Sequence, residues 1–136
     1  MKQFKRTKGH RSGLETALDR AFKLKGFNLE YESTMLPFVT SPQKRRYTPD
    51  WTIREGWYIE AKGRMSSADR KKHLYIKEQH PTVRILIVFQ RPQNKLYKGS
   101  PTSYGQWATK VGIEWCAVED VKVWTKFIKE ALKHGS

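Results

Sequence analysis

Two acidic residues and a lysine are spaced so that they could support phosphate chemistry. Pro49-Asp50 is followed, after nine residues, by Glu60-Ala61-Lys62. The pattern predicts strands over residues 47–53 and 57–62, joined by the short turn at residues 54–56. Because side chains alternate along a strand, Glu60 and Lys62 are expected on one face and Ala61 on the other. The hairpin brings Asp50 alongside, so the three groups are expected to converge at one edge of a sheet.

Converging carboxylates repel one another and need a counter-charge. A hard divalent cation such as Mg²⁺ supplies that charge, since it prefers oxygen ligands and keeps several waters. A metal held in this way readies a water for attack and offsets charge on a phosphate, and Lys62 adds a further positive group. The alternative interpretation is a surface hairpin that carries an ordinary Glu–Lys pair.

The net charge indicates a polyanionic partner. The chain has 136 residues, with 27 Lys+Arg against 13 Asp+Glu, for a net charge of +14. Nucleic acid is the first candidate and an anionic membrane surface the second, the alternative being a merely basic soluble protein. No apolar run approaches the ~18 residues of a membrane span. One cysteine, Cys116, excludes an intrachain disulfide and favours a reducing, cytoplasmic setting.

The hydrophobic pattern predicts a single domain over residues 12–136, preceded by a flexible basic arm over residues 1–11. Helices are predicted over residues 12–26, 68–80, 102–111 and 121–132, with Ser67 as the cap of the second. Strands are predicted over residues 27–31, 35–40, 47–53, 57–62, 83–89 and 113–118, with a basic loop at 41–46. The order α-β-β-β-β-α-β-α-β-α is typical of an α/β domain with a mixed sheet flanked by helices.

Several other residues have structural interpretations. Ser12-Gly13-Leu14-Glu15 has the form of a capping box, in which Glu15 only bonds the start of the first helix. The histidines lack metal-ligand spacing and are interpreted as surface or packing residues: His10, His73, His80 and His134. The tryptophans are interpreted as core residues rather than base-stacking platforms: Trp51, Trp57, Trp107, Trp115 and Trp124. Cys116 is expected to be inert in an apolar strand.

Five segments together resemble a known family. They are Arg11-Ser12-Gly13-Leu14-Glu15, Tyr47-Thr48-Pro49-Asp50, Glu60-Ala61-Lys62-Gly63, Asp69-Arg70-Lys71-Lys72-His73-Leu74 and Asn94-Lys95-Leu96-Tyr97-Lys98-Gly99-Ser100-Pro101-Thr102-Ser103-Tyr104-Gly105. They are similar to the phage endonuclease I family, the Holliday-junction resolvases of the restriction-endonuclease-like, PD-(D/E)xK superfamily. The resemblance runs from about residue 11 to residue 113.

The resemblance implies a restriction-endonuclease-like fold in an intertwined, domain-swapped homodimer. By that resemblance Asp50 and Glu60, with the Ala61 carbonyl, hold Mg²⁺, for which Mn²⁺ substitutes. Lys62 orients or activates the attacking water. Glu15 completes the carboxylate set in trans, because the first helix is exchanged, and residues 35–47 bridge the exchanged halves. A two-fold dimer supplies the two sites that paired cuts in a four-way junction require.

The predicted function is therefore a magnesium-dependent, structure-selective endodeoxyribonuclease that resolves four-way junctions and cuts branched DNA in the host cytoplasm. Phosphate contacts are expected from basic and hydroxyl residues that form one surface: Lys5, Arg6, Lys8, Arg11, Lys44, Arg45, Arg46, Arg70, Lys71, Lys72, Lys95, Lys98, Ser100 and Thr102. No base-reading motif is apparent, which suits recognition of shape. Two alternatives are a non-catalytic nucleic-acid-binding protein and a site-specific or mismatch nuclease on the same fold.

Overall fold

The computed structural model describes residues 12–40 and 43–134, so the predicted basic arm over residues 1–11 lies outside the described residues. The helices are α1 (Gly13–Leu24), α2 (Ser67–Gln79), α3 (Tyr104–Val111) and α4 (Val121–Lys133). The strands are β1 (Glu30–Tyr31), β2 (Leu36–Thr40), β3 (Gln43–Tyr47), β4 (Trp51–Arg54), β5 (Trp57–Lys62), β6 (Arg84–Phe89) and β7 (Glu114–Ala117). No helix in the described ranges has the length and apolar composition needed to cross a bilayer.

A five-stranded mixed sheet in the order β1-β4-β5-β6-β7 forms the centre of the fold. β4 pairs antiparallel with both β1 and β5, whereas β5, β6 and β7 run parallel. The β4–β5 pair is the hairpin that the sequence predicts, with Gly56 at φ 88° in its turn. β5 is therefore the strand at which the antiparallel half of the sheet meets the parallel half. The predicted mixed sheet flanked by helices is confirmed.

Each face of the sheet is covered by apolar side chains. On one face, α1 and α4 contribute Leu18, Phe22 and Trp124 to a core that includes Ile59 and Ala61 of β5. On the other face, α3 packs over β6, and α2 packs with the β2–β3 ribbon over Tyr58 of β5. Burying these faces is the dominant stabilising contribution to such a layered domain.

The predicted core aromatic and cysteine residues lie in or beside these layers. Trp51, Trp107 and Trp124 are buried, whereas Trp57 and Trp115 are half-buried against the two main cores. The guanidinium of Arg84 lies 4.4 Å from the centre of the Trp57 ring and covers part of its exposed surface. Cys116 is buried, and burial raises the pKa of its thiol to about 12, as expected for an inert cysteine.

The predicted basic loop at residues 41–46 is wrong, because residues 43–47 form β3. This strand pairs antiparallel with β2, from Leu36 opposite Tyr47 to Thr40 opposite Gln43. The predicted single strand over residues 47–53 is accordingly two strands, separated by residues 48–50. Tyr47 anchors β3 in the core beside α2, while the preceding basic side chains are exposed. The ribbon is a separate two-stranded sheet, a position that suits Pro37 because proline has no N–H to donate in a central strand.

The helix ends follow their capping residues. Ser12 accepts a hydrogen bond from the backbone N–H of Glu15 and starts α1. Ser66, one residue before the predicted cap, forms a capping box with Asp69 at the start of α2. α3 ends at Gly112, which adopts φ 78° in the left-handed region. These caps place Asp69 directly after the loop that follows β5.

Candidate active site

The candidate site lies at the carboxyl end of β5. Trp51 of β4 is paired with Ile59 of β5, so Asp50, immediately before β4, lies at the level of Glu60. Ile59 and Ala61 face the core beneath α1 and α4, whereas Tyr58 faces α2 and the β2–β3 ribbon. Alternation places Glu60 and Lys62 on the Tyr58 face. The predicted division of β5 into two faces is confirmed.

Asp50 is held against β5 by a backbone hydrogen bond. The Asp50 Oδ2 atom accepts from the Ala61 N–H at 2.9 Å, and Asp50 is 1% exposed. On the other side, the Asp50 carbonyl accepts from the Glu32 N–H at 2.8 Å. These contacts on both sides set the position of the carboxylate beside the Glu60-Ala61-Lys62 segment.

Glu60 lies between a phenol and an ammonium group. The Tyr47 hydroxyl donates to Glu60 Oε1 at 2.7 Å, and Lys62 Nζ lies 3.5 Å from Glu60 Oε2. Glu60 is 6% exposed, so both contacts are made in a largely dry environment. Sequence reasoning missed the role of Tyr47, because the hydroxyl reaches Glu60 from the β2–β3 ribbon rather than from the β4–β5 hairpin.

Asp69 is a second residue that sequence reasoning missed. Its Oδ1 atom lies 3.4 Å from Lys62 Nζ and 3.9 Å from Lys72 Nζ. Its Oδ2 atom accepts from the Ser66 N–H at 3.0 Å, within the capping box. The capping pattern Ser66-x-x-Asp69 directly after β5 is the signal that could have identified it. Lys62 Nζ is therefore held between Glu60 on its own strand and Asp69 on α2.

The charges in this network stabilise one another. Burial alone acts to raise the pKa of Glu60, but Lys62, His73 and Lys72 hold the pKa of that carboxyl below its usual value. Burial likewise acts to lower the pKa of Lys62, but Glu60 and Asp69 raise it. Burial, with the Glu60 charge added, raises the pKa of Tyr47 well above 10. At neutral pH the site thus holds a carboxylate, an ammonium group and a neutral phenol.

His73 on α2 is buried beside this network. Its ring packs edge-on against Tyr47 with the ring centres 5.4 Å apart, and it is 2% exposed. Its Nε2 atom has no hydrogen-bond partner, and burial lowers its pKa to about 4. The interpretation of His73 as a packing residue is confirmed, and what it packs against is the tyrosine that positions Glu60.

Glu15 lies in the first turn of α1, buried near the same end of β5. Its Oε1 atom accepts from the Tyr31 hydroxyl at 2.6 Å, a long-range contact that a capping box does not include. Tyr31 of β1 is paired with Trp51, the residue that follows Asp50. The Leu14 side chain of α1 lies 4.0 Å from the position that a Cβ atom would take on Gly63, directly after Lys62. The structure therefore places α1 beside the segment that carries Asp50 and Lys62.

The donor set suits a hard cation that retains water. Within residues 12–40 and 43–134, no three His, Cys, Asp or Glu residues are grouped as a metal-binding cluster. Asp50 and Glu60 provide buried carboxylate oxygens. Mg²⁺ is usually bound through one or two carboxylates, with waters and substrate phosphates completing its coordination. The two carboxylates fit that pattern.

The predicted DNA-binding residues in the described ranges lie in three segments. Exposed Lys44, Arg45 and Arg46 on β3 immediately precede Tyr47, and Arg70, Lys71 and Lys72 on α2 immediately follow Asp69. Lys95 and Lys98 are exposed in the loop after β6. Lys5, Arg6, Lys8 and Arg11 lie outside the described residues.

Four of these side chains have partners within the protein, among them Lys95, whose Nζ donates to the Pro101 carbonyl at 3.5 Å. Arg70 donates from Nη1 to the Met65 carbonyl at 3.3 Å, and Lys72 lies 5.4 Å from the centre of the Tyr47 ring. Ser100 is buried, and its hydroxyl accepts from the Thr102 N–H at 3.0 Å. Ser100 therefore stabilises its loop, whereas Lys44, Arg45 and Arg46 present their charges to solvent.

The fold and site define an α/β protein with a carboxylate–lysine site where the two halves of a mixed sheet meet. The model of the family described as phage endonuclease I matches residues 1–135. The chain is 45% identical over 123 residues to Endonuclease I of Escherichia phage T7, covering 90% of this chain and 80% of the relative. It is 48% identical over 103 residues to Endodeoxyribonuclease 1 of Enterobacteria phage T3, covering 76% of this chain and 68% of the relative.

The chain belongs to the phage endonuclease I family. The resemblance drawn from the five sequence segments is confirmed, and the family match extends beyond residue 113 through α4.

Proposed function

We propose that this protein is a magnesium-dependent, structure-selective DNA endonuclease that resolves four-way junctions and cuts other branched DNA. The observation that carries the proposal is the network of Asp50, Glu60 and Lys62 at the carboxyl end of β5. The family match and the names of both phage relatives support a nuclease, and the net charge of +14 suits a DNA substrate.

Asp50, Glu60 and the Ala61 carbonyl are the proposed ligands of Mg²⁺, with Mn²⁺ as a substitute. When bound, the metal lowers the pKa of a coordinated water and offsets charge on the phosphate. The protein contributes fixed carboxylates: the Ala61 N–H holds Asp50, and the Tyr47 hydroxyl holds Glu60. This fixed geometry limits the reorganisation needed as charge develops on the phosphate.

Lys62 is proposed to orient the attacking water and to stabilise charge on the phosphate. In the reaction, the water loses a proton to solvent as its oxygen bonds to phosphorus, one phosphodiester P–O bond breaks, and the departing oxygen takes up a proton from solvent. Asp69 holds Lys62 from α2, so the ammonium group does not depend on Glu60 alone for its position. Glu15 is proposed to complete the carboxylate set.

We further propose a homodimer in which α1 is exchanged and residues 35–47 bridge the two halves. Leu18 and Phe22 of α1 are fully buried in the core, so an exchanged α1 must dock in the same way on the partner. Exchange of an element keeps its contacts and changes only which chain supplies them. Glu15 then serves the Asp50–Glu60–Lys62 set of the other chain.

Junction selectivity is tested by incubating the protein with a synthetic four-way junction and with linear duplex of the same sequences, with and without Mg²⁺. We expect strand breaks in the junction, in its presence only, and little cutting of the duplex. Tight binding without metal-dependent breaks favours the non-catalytic alternative. A cut restricted to one sequence in plain duplex favours the site-specific alternative.

The contact between Asp69 and Lys62 gives a second test. Asp69→Asn keeps an oxygen for the Ser66 N–H but removes the charge beside Lys62. We expect the cleavage rate to fall by about tenfold, the lower end of the range for residues that orient active-site groups. Glu114→Gln is the matched control, since it breaks the ion pair with Arg84 at the opposite end of β6. Equal cleavage rates for the two variants would show that Asp69 does not support catalysis.

A further inference from the structure

The loop over residues 90–103 leaves the sheet next to the candidate site. Lys62 at the end of β5 is paired with Phe89 at the end of β6. The Gln90 N–H, the first of the loop, donates to the Lys62 carbonyl at 2.9 Å. A group presented by this loop is therefore attached to the same sheet edge as the proposed catalytic residues.

The loop has a defined conformation. Its two sides are joined by the Leu96 N–H, which donates to the Thr102 carbonyl at 3.0 Å. The Tyr104 N–H at the start of α3 donates back to the Asn94 carbonyl at 2.8 Å. The Leu96 side chain packs on the core formed by α3 and β6, which anchors the middle of the loop.

The tip of this anchored loop presents an aromatic ring to solvent. Tyr97 is 62% exposed, although Leu96 beside it is packed inward. The Tyr97 carbonyl accepts from the Ser100 N–H at 3.0 Å, and Gly99 adopts φ 87°, so a tight turn fixes the backbone around the ring. Because the backbone is already ordered, contacts made by Tyr97 cost little further conformational entropy.

The positive charges that flank Tyr97 favour a nucleic-acid partner. Lys95 and Lys98 are both exposed, and no acidic residue occurs between residues 79 and 113. An exposed ring between cationic side chains is the arrangement with which proteins stack on nucleic-acid bases while they neutralise the neighbouring phosphates. In continuous duplex DNA the base faces are covered by their neighbours, whereas at a branch point base stacking is interrupted.

We propose that Tyr97 stacks on a base or base pair exposed at the branch point of the DNA, with Lys95 and Lys98 on the adjoining phosphates. Tyr97 is then a specificity-determining residue that distinguishes branched DNA from linear duplex. This inference rests on the proposed function and names the contact through which that site selects its substrate. The sequence predicts only phosphate contacts for this loop, and the proposal adds a contact with a base.

The test compares the dissociation constants of four-way junction and linear duplex for wild-type, Tyr97→Ala and Tyr97→Phe proteins, in buffer without divalent metal. Tyr97→Ala is expected to weaken junction binding by about tenfold, within the range measured for base–aromatic stacking. Binding to the duplex is expected to change less than about twofold. Tyr97→Phe keeps the ring and is expected to bind the junction like wild type. Val123→Ala removes exposed apolar surface on α4 and is the control for non-specific effects.

Three outcomes overturn the stacking contact: unchanged junction binding by Tyr97→Ala, equal losses on junction and duplex, or a loss in Tyr97→Phe as large as in Tyr97→Ala. The last outcome assigns the contact to the hydroxyl group and a phosphate. A wild-type protein that binds the junction no more tightly than the duplex contradicts the proposed function itself. If wild-type protein prefers the junction and Tyr97→Ala protein binds the junction equally tightly, only the proposed Tyr97 contact is contradicted.

Discussion

Asp50→Asn protein is expected to cut a four-way junction about a thousandfold more slowly than wild type, a loss equivalent to about 4 kcal/mol of transition-state stabilisation. The substitution removes a negatively charged oxygen ligand but keeps an oxygen that can accept from the Ala61 N–H. The cleavage rate of Glu60→Gln protein is expected to fall by a similar factor. The glutamine amide oxygen still accepts from the Tyr47 hydroxyl, but the negative charge of the carboxylate is lost. Both variants should stay folded and bind DNA, since only charge is removed.

The measurement is a single-turnover cleavage rate with saturating protein, accompanied by thermal unfolding and junction binding without divalent metal. Asp19→Asn is the matched control, because Asp19 is another buried acid, and its carboxylate contacts Lys23 and Trp51. The cleavage rate of the folded control is expected to stay close to that of wild type, because Asp19 is not among the proposed metal ligands. Undiminished cutting by folded Asp50→Asn and Glu60→Gln proteins would show that the carboxylates are structural.

The face of β5 that carries Glu60 and Lys62 could be predicted because strand alternation is a local property. The same holds for β6, where Leu86 and Val88 face one core and Ile87 and Phe89 the other. Helices α1 and α4 were likewise predictable from the spacing of their apolar residues. In each of these elements the pattern that decides the structure lies within the element.

β3 could not be predicted because its basic residues carry no apolar alternation of their own. The strand is formed through pairing with β2 and through the docking of Tyr47 beside α2. Such tertiary context commonly overrides local preference in strands. The hydrogen bond from Tyr47 to Glu60 depends on this docking, so the local sequence pattern could not predict it.

Asp69 was only partly predictable. The capping pattern at Ser66 places an acid at the start of α2, but its distance from Lys62 depends on how α2 packs over β5. A capping acid and an active-site acid have the same local sequence pattern. Here one carboxylate makes both contacts, with Oδ2 at the helix start and Oδ1 facing Lys62.

The second large effect expected is recovery of activity when two inactive proteins are combined. Glu15→Ala and Lys62→Ala chains are each expected to be inactive alone. In a mixed dimer with exchanged α1, one site combines Glu15 of the Lys62→Ala chain with Lys62 of the Glu15→Ala chain and is intact. Random pairing after co-refolding leaves about a quarter of all sites intact, so the cleavage rate should reach about a quarter of wild type.

The products and a matched mixture make this test specific for exchange. A mixed dimer has one working site, so we expect single nicks in the junction rather than paired cuts. Asp50→Asn mixed with Lys62→Ala is the control, because both residues belong to the set that one chain contributes and no intact site can form. If mixed dimers of Glu15→Ala and Lys62→Ala, verified by differently tagged chains, show no recovery, Glu15 acts within its own chain. A Glu15→Ala protein that is active alone would instead show that Glu15 has a structural role, through its hydrogen bond with Tyr31.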